Sequence, residues 1–164
     1  MVERIARYFL QTSTKKDERF MRLALELARK AFQEGETPVA AILVINDEIV
    51  SQAHNLIETN SDPTAHAEII ALRQASIKLA DWRLLYSTLY VTLEPCIMCA
   101  GALLHARVPK VVYAAEDKNW GAFGSLFDFS HDPRINHEVE IVSGVMRDEA
   151  VELMKKFFQH LRQA

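Results

Sequence analysis

The sequence predicts an α/β fold in three layers, a mixed sheet of about five strands with helices on both faces. Three observations carry this. Apolar runs of strand length alternate along the chain with stretches of helical period. One run, 39–45, is apolar throughout, as a strand covered on both faces must be. Residues 88–115 then read strand, helix, strand, a succession that layers helices against a sheet.

Each element has its own local reason. In 17–33 the residues Phe20, Ala24, Leu27, Ala28 and Ala31 recur at helical spacing, Thr14-x-x-Asp17 matches a capping box, and Gly35 is a stop. The strand 39–45, bounded by Pro38 and Asn46-Asp47, turns into 48–53, a hairpin whose second strand lies nearer an edge. Asp62-Pro63-Thr64 opens a helix over about 65–80, because Pro and a hydroxyl residue favour a first turn. A strand over 88–93 runs directly into a helix over 96–106, which Pro109 ends before the strand 111–115. The segment 116–137 has no clear period. A weaker strand, 139–142, precedes an amphipathic helix in which Ala150, Leu153, Met154, Phe157, Phe158 and Leu161 keep helical spacing. That register makes both phenylalanines core residues, with Phe158 also a candidate to flank a stacked base. The aromatic loop 120–129, with Trp120, Phe123, Phe127 and Phe129, is either a dimer or RNA-facing wall or plain intrachain packing.

With 164 residues, 49% of them apolar and 25% charged, the chain is expected to form one domain over 1–164. Nothing approaches the roughly 20 apolar residues of a membrane span, and Glu3, Arg4 and Arg7 break the N-terminal run. The expectation is a soluble, unexported protein. Cys96 and Cys99, the only cysteines, are spaced like metal ligands, which argues for reduced thiolates and a cytoplasmic location. A net charge of −3 excludes a protein that binds nucleic acid by global basicity. Any such binding is local. Basic residues concentrate at Arg4, Arg7, Lys15, Lys16 and Arg19, and at Lys155, Lys156 and Arg162, where solvated helix faces explain most of them.

The chemistry lies in His66-Ala67-Glu68 and Glu94-Pro95-Cys96-Ile97-Met98-Cys99. One His and a Cys-x-x-Cys pair offer three ligands of the kind zinc prefers, and a catalytic zinc keeps its fourth position for water. Glu68 is then the proton carrier, taking a proton from that water and returning it to a ring nitrogen and a leaving amine. Hydrolytic deamination of a heteroaromatic ring follows. Cys96 and Cys99, three apart, share a helix face, whereas His66 and Glu68, two apart, can share a site only at an irregular helix start. A thioredoxin-like redox pair remains an alternative, as does a structural zinc knot with His54 or His105 as fourth ligand, which would leave Glu68 without work.

His-x-Glu followed by Pro-Cys-x-x-Cys is the known signature of zinc-dependent base deaminases and is recognised as such. Asp62-Pro63-Thr64-Ala65-His66-Ala67-Glu68, Leu89-Tyr90-Val91-Thr92-Leu93-Glu94-Pro95-Cys96-Ile97-Met98-Cys99-Ala100-Gly101-Ala102 and Gly121-Ala122-Phe123-Gly124-Ser125-Leu126 together closely resemble the bacterial tRNA-specific adenosine deaminases, over about 18–162. The resemblance implies a cytidine-deaminase-like fold, a homodimer, one zinc ion per subunit, and conversion of the wobble adenosine of a tRNA anticodon stem-loop, most often of an arginine tRNA, to inosine. It implies zinc ligation by His66, Cys96 and Cys99, proton transfer by Glu68 and base contact by Asn55, whose amide can both donate and accept. It also implies that Asp117 accepts a hydrogen bond from a 2′-OH, favouring RNA over DNA. Lys155, Lys156, Phe158 and Arg162 are candidate RNA contacts. Residues 1–14 have no counterpart in the resemblance. A free guanine or cytosine deaminase is the runner-up, and a non-catalytic zinc-binding subunit the third reading.

Overall fold

The protein is described by a computed structural model over residues 14–164. Ile5 and Phe9, candidates for a short helix or dimer contact, and the extra segment as far as Ser13 lie outside the described residues. In chain order the elements are α1 (Lys15–Gln33), β1 (Ala40–Ile45), β2 (Glu48–His54), α2 (Ile57–Asn60), α3 (Ala67–Leu79), β3 (Ser87–Leu93), α4 (Ile97–His105), β4 (Lys110–Ala115), β5 (Glu140–Ser143) and α5 (Arg147–Gln163).

The five strands form one sheet in the order β2-β1-β3-β4-β5. β1 is antiparallel to β2 and β3, while β4 is parallel to both β3 and β5, so the sheet is mixed. Successive residues of a strand face opposite ways, and the sheet accordingly feeds two cores. Ala41, Leu43, Leu89, Val91 and Val111 pack with Ala71, Ala75 and Leu103 of α3 and α4 on one face. Ile42, Val44, Tyr90, Val112 and Ala114 pack with Phe20, Met21, Ala24 and Ala150 of α1 and α5 on the other. β2 is an edge strand, as predicted. Its hairpin turns at Asn46 and Asp47, with φ of 50° and 65°, the left-handed pair that matches strand twist in a two-residue turn.

The predicted elements are all present, with local shifts at their ends. α1 starts at Lys15 because Asp17 is the third helical residue of the capping box: the Thr14 hydroxyl accepts the Asp17 N–H (3.1 Å) and the Asp17 carboxylate accepts the Thr14 N–H (3.0 Å). Its buried stripe takes in Met21 and Leu25 and leaves Leu27 at the margin. α5 departs most from expectation. Phe157 is buried and stacks edge-on against Phe32 of α1, but Phe158 and Leu161 are exposed, because only the first part of α5 lies against the sheet. Among the described residues no helix is long and apolar enough to cross a membrane.

Candidate active site

Two helix starts build the site, one reached from β2 and one from β3, the strands on either side of β1. Before α3, Asp62 Oδ1 accepts both the hydroxyl (2.7 Å) and the N–H (2.8 Å) of Thr64, a local turn that keeps the chain out of helix. Those bonds hold the Asp62 carboxyl below its usual range. The helix therefore starts two residues later than predicted. His66 is the N-cap, in extended conformation (φ −72°, ψ 149°), and Glu68 is the second helical residue. The break in backbone geometry between them lets side chains two apart reach one pocket. His66 gives the helix no side-chain cap; Asn55, just beyond β2, does so instead, its Oδ1 accepting the Ala67 N–H (2.8 Å).

β3 runs straight into α4, whose N-cap is Cys96 (φ −72°, ψ 173°) and whose third residue is Cys99. Both sulfurs sit beside unpaired N–H groups that stabilise thiolate charge. Cys96 Sγ lies 3.7 Å and Cys99 Sγ 3.6 Å from His66 Nδ1, and the three atoms fall within 4.8 Å of one another. A sulfur and a nitrogen on one tetrahedral zinc, at about 2.3 and 2.05 Å from it, stand about 3.6 Å apart, so the triangle fits such an ion. The thiols share a proton: the Cys99 hydrogen bond pulls Cys96 down to about 4, and the same bond holds Cys99 far up. A cation held by His66 and the two sulfurs would take over that proton's role.

Glu68 is 3% exposed. Burial pushes its carboxyl up to about 7, and its Oε2 is the one buried side-chain oxygen or nitrogen without a hydrogen-bond partner among the described residues. An orphaned carboxyl oxygen next to this ligand triangle is poised to meet a water or a substrate proton. His66, Glu68 and Cys96 line a pocket of about 170 Å³ with Thr37, Asn55, Leu93, Glu94 and Asp117. Asn55 is buried and lines the pocket, its oxygen committed to the Ala67 N–H. With that oxygen engaged, the amide N–H is the group it has left for a ligand, where the sequence suggested donor and acceptor together.

Thr37, Leu93 and Asp117 also line a groove of about 620 Å³ that continues from the pocket. Lys155, Phe158 and Arg162 of α5 form its far wall, and Phe158 is 46% exposed there. Lys156 is not among the lining residues and pairs with Glu152 (3.5 Å). The aromatic loop divides: Trp120, 63% exposed, lines the groove, Phe123 is core, and Phe127 is exposed and stacked on Phe129 (5.7 Å). His54 is no fourth ligand, since its Nδ1 lies 2.9 Å from the Asn55 carbonyl and its Nε2 3.2 Å from Glu34. The metal-capable group among the described residues is His66, Cys96 and Cys99 alone.

Sequence reasoning missed two carboxylates. Glu94 stood in a motif without a task, and the structure surrounds it with hydrogen bonds from 117–125. Glu36 accepts the Thr59 (2.7 Å) and Glu58 (3.2 Å) N–H groups and so steadies α2 beside Asn55. No local pattern marks either, because their partners are remote in sequence.

A family model of MafB19-like deaminases matches residues 15–162. The tRNA-specific adenosine deaminase of Haemophilus influenzae is 51% identical over 148 residues, which cover 90% of this chain and 86% of that protein. The enzyme of the same name from Bacillus subtilis is 47% identical over 146 residues, covering 89% and 91%. A solved structure from a study of A-to-I editing by tRNA:A34 deaminases at the wobble position of transfer RNA superposes with a TM-score of 0.79. It is 39% identical, over 82% of this chain and 98% of the other.

Proposed function

The chain belongs to the tRNA-specific adenosine deaminases of the MafB19-like deaminase family, and from this we propose that it converts adenosine to inosine at the wobble position of a tRNA anticodon. Water and adenosine give inosine and ammonia. One observation carries the mechanism: the buried, unpartnered Glu68 Oε2 beside the triangle of His66, Cys96 and Cys99.

His66, Cys96 and Cys99 would hold one zinc ion per subunit, which supplies a water acidic enough to be a nucleophile near neutral pH. Glu68 accepts one proton of the attacking water at Oε2 and delivers it to a ring nitrogen as the C6–O bond forms, then takes the second from the new hydroxyl and passes it to the amine as the C6–N bond breaks. A carboxyl held near 7 can do both, since neither its acid nor its base form is scarce at neutral pH. Asn55 donates its amide N–H to an acceptor on the base. Asp117 accepts from a 2′-OH, which selects RNA over DNA. Lys155 and Arg162 meet phosphates along the groove, and Phe158 offers a face to a neighbouring base.

The reading extends to an arginine tRNA as substrate, a single deaminase domain, a homodimer and a cytoplasmic location. The exposed Leu126 and Phe127 on the loop next to the site are surface of the kind a second protomer covers. Glu68→Ala tests the mechanism. The variant should keep metal and bind an anticodon stem-loop normally while losing at least about 10²- to 10⁴-fold in inosine formation. Undiminished inosine formation would sink the role given to Glu68. Ammonia released from free guanine or cytosine but not from the stem-loop would sink the substrate.

A further inference from the structure

We propose that Glu94 is a positioning residue: it anchors the 116–126 segment, and through it Asp117, to the strand and helix that carry the cysteines. The proposal rests on the wobble-adenosine reading, because it assigns the segment to the substrate side of that site.

Glu94 sits between the end of β3 and Cys96 and is 2% exposed. Its Oε1 accepts the N–H groups of Phe123 (3.0 Å) and Ser125 (3.0 Å). Its Oε2 accepts the Asp117 N–H (3.0 Å) and the Ser125 hydroxyl. Four donors from one segment thus fill the acceptor positions of one buried carboxylate. The segment also closes around it. A Cβ on Gly121 would stand 2.5 Å from Glu94 Cδ, from Glu94 Oε2 and from the Asp117 carbonyl oxygen, so only glycine admits this approach. Gly121 bridges Cys96, and the Ala122 N–H donates to the Pro95 carbonyl (3.0 Å).

Asp117 is therefore held at both ends. Its N–H is tied to Glu94, and its Oδ1 accepts from Asn119 (2.9 Å) and Trp120 (3.2 Å), while the residue walls both the pocket and the groove. Removing the Glu94 bonds frees the wall of the substrate channel and leaves His66, Cys96, Cys99 and Glu68 in place. The expected signature is a defect in substrate binding, with the metal retained.

Glu94→Gln tests this at constant volume. An amide presents one oxygen and one NH₂ group to donors that now meet two oxygens, so at least one backbone N–H loses its acceptor. In the metal-loaded variant, amide hydrogen exchange at Asp117, Phe123 and Ser125 should speed up at least about tenfold, and KM for an anticodon stem-loop should rise about 10- to 100-fold. Metal content should stay at the wild-type level and kcat within a few-fold. Gly121→Ala should reproduce the pattern from the opposite side. Ser125→Ala, which deletes only the hydroxyl donor, should show a weaker form of it and serves if the other variants fold poorly. Unchanged exchange and unchanged KM in these variants would overturn the proposal, as would a loss of kcat that tracks loss of metal. If wild-type protein leaves the stem-loop unmodified, the substrate reading falls, and the exchange measurements still decide whether Glu94 anchors the segment.

Discussion

Two substitutions at Asn55 separate a structural task from a catalytic one. Its Oδ1 caps the first N–H of α3 at 2.8 Å, the helix whose start sets His66 and Glu68, and the residue lines the pocket with its amide N–H left as a donor. Asn55→Ala removes both groups. The Ala67 N–H is left without its acceptor in a buried place, which costs about 1–3 kcal/mol. For a chain of this size that lowers the thermal midpoint by about 2–12 °C. Asn55→Asp keeps an oxygen for the helix start, where a negative charge is favourable, but replaces the donor with an acceptor. It should lie within about 1 kcal/mol of wild type in stability. A lost hydrogen bond to the base and a carboxylate facing a base acceptor should together lower kcat/KM by at least about tenfold, since 1.4 kcal/mol is a factor of ten. Calorimetry on the metal-loaded proteins measures the first quantity, and inosine formation on an anticodon stem-loop the second. An alanine variant as stable as wild type, or an aspartate variant of full activity, would refute the division of labour.

The other predictions concern packing, pH and metal. Phe157→Ala, at a buried site, should cost about 3–5 kcal/mol, while Phe158→Ala should change stability little and raise KM for the stem-loop. Denaturation curves and steady-state kinetics distinguish the pair. Burial raises the Glu36 carboxyl, but the Thr59 and Glu58 N–H groups outweigh it and leave the carboxyl below its ordinary 4.5. Its stabilisation is thus complete above about pH 4.5 and fades as pH falls through the folded value. Glu36→Gln should lose about 1.5–3 kcal/mol at pH 7, and the gap to wild type should close in acid. Chelation should abolish inosine formation and lower the thermal midpoint, because an ion held by native Cys96, Cys99 and His66 stabilises the folded state by mass action. Added zinc should restore both, and Cys99→Ala should remove most of the metal-dependent shift.

The fold was legible because its signals are local. The all-apolar run at 39–45 marks a covered strand, the Thr14 and Asp17 pair announces a helix start, and Pro109 closes a helix. The ligand types were legible too, since the spacing of Cys96 and Cys99 and the nearness of Glu68 to His66 are visible in the chain. Burial within a helix was harder to read. Phe157 and Phe158 share an apolar stripe, but how far α5 extends beyond the sheet determines which is covered, and periodicity carries no length of contact.

The sequence by itself determined the sheet with two helical faces, the three metal-capable side chains and the carboxyl beside them, because these follow from period, capping and residue chemistry over short spans. The tertiary structure decided what each does at a distance. Asn55 can cap α3 only because β2 ends beside it, Glu68 rises to about 7 only because the pocket excludes water, and Glu94 gathers four donors only because the 117–125 segment folds back over β3. The physical reason is common to all three. Hydrogen-bond partners and desolvation depend on atoms that are near in space and far along the chain, and no pattern of neighbours in sequence encodes that proximity.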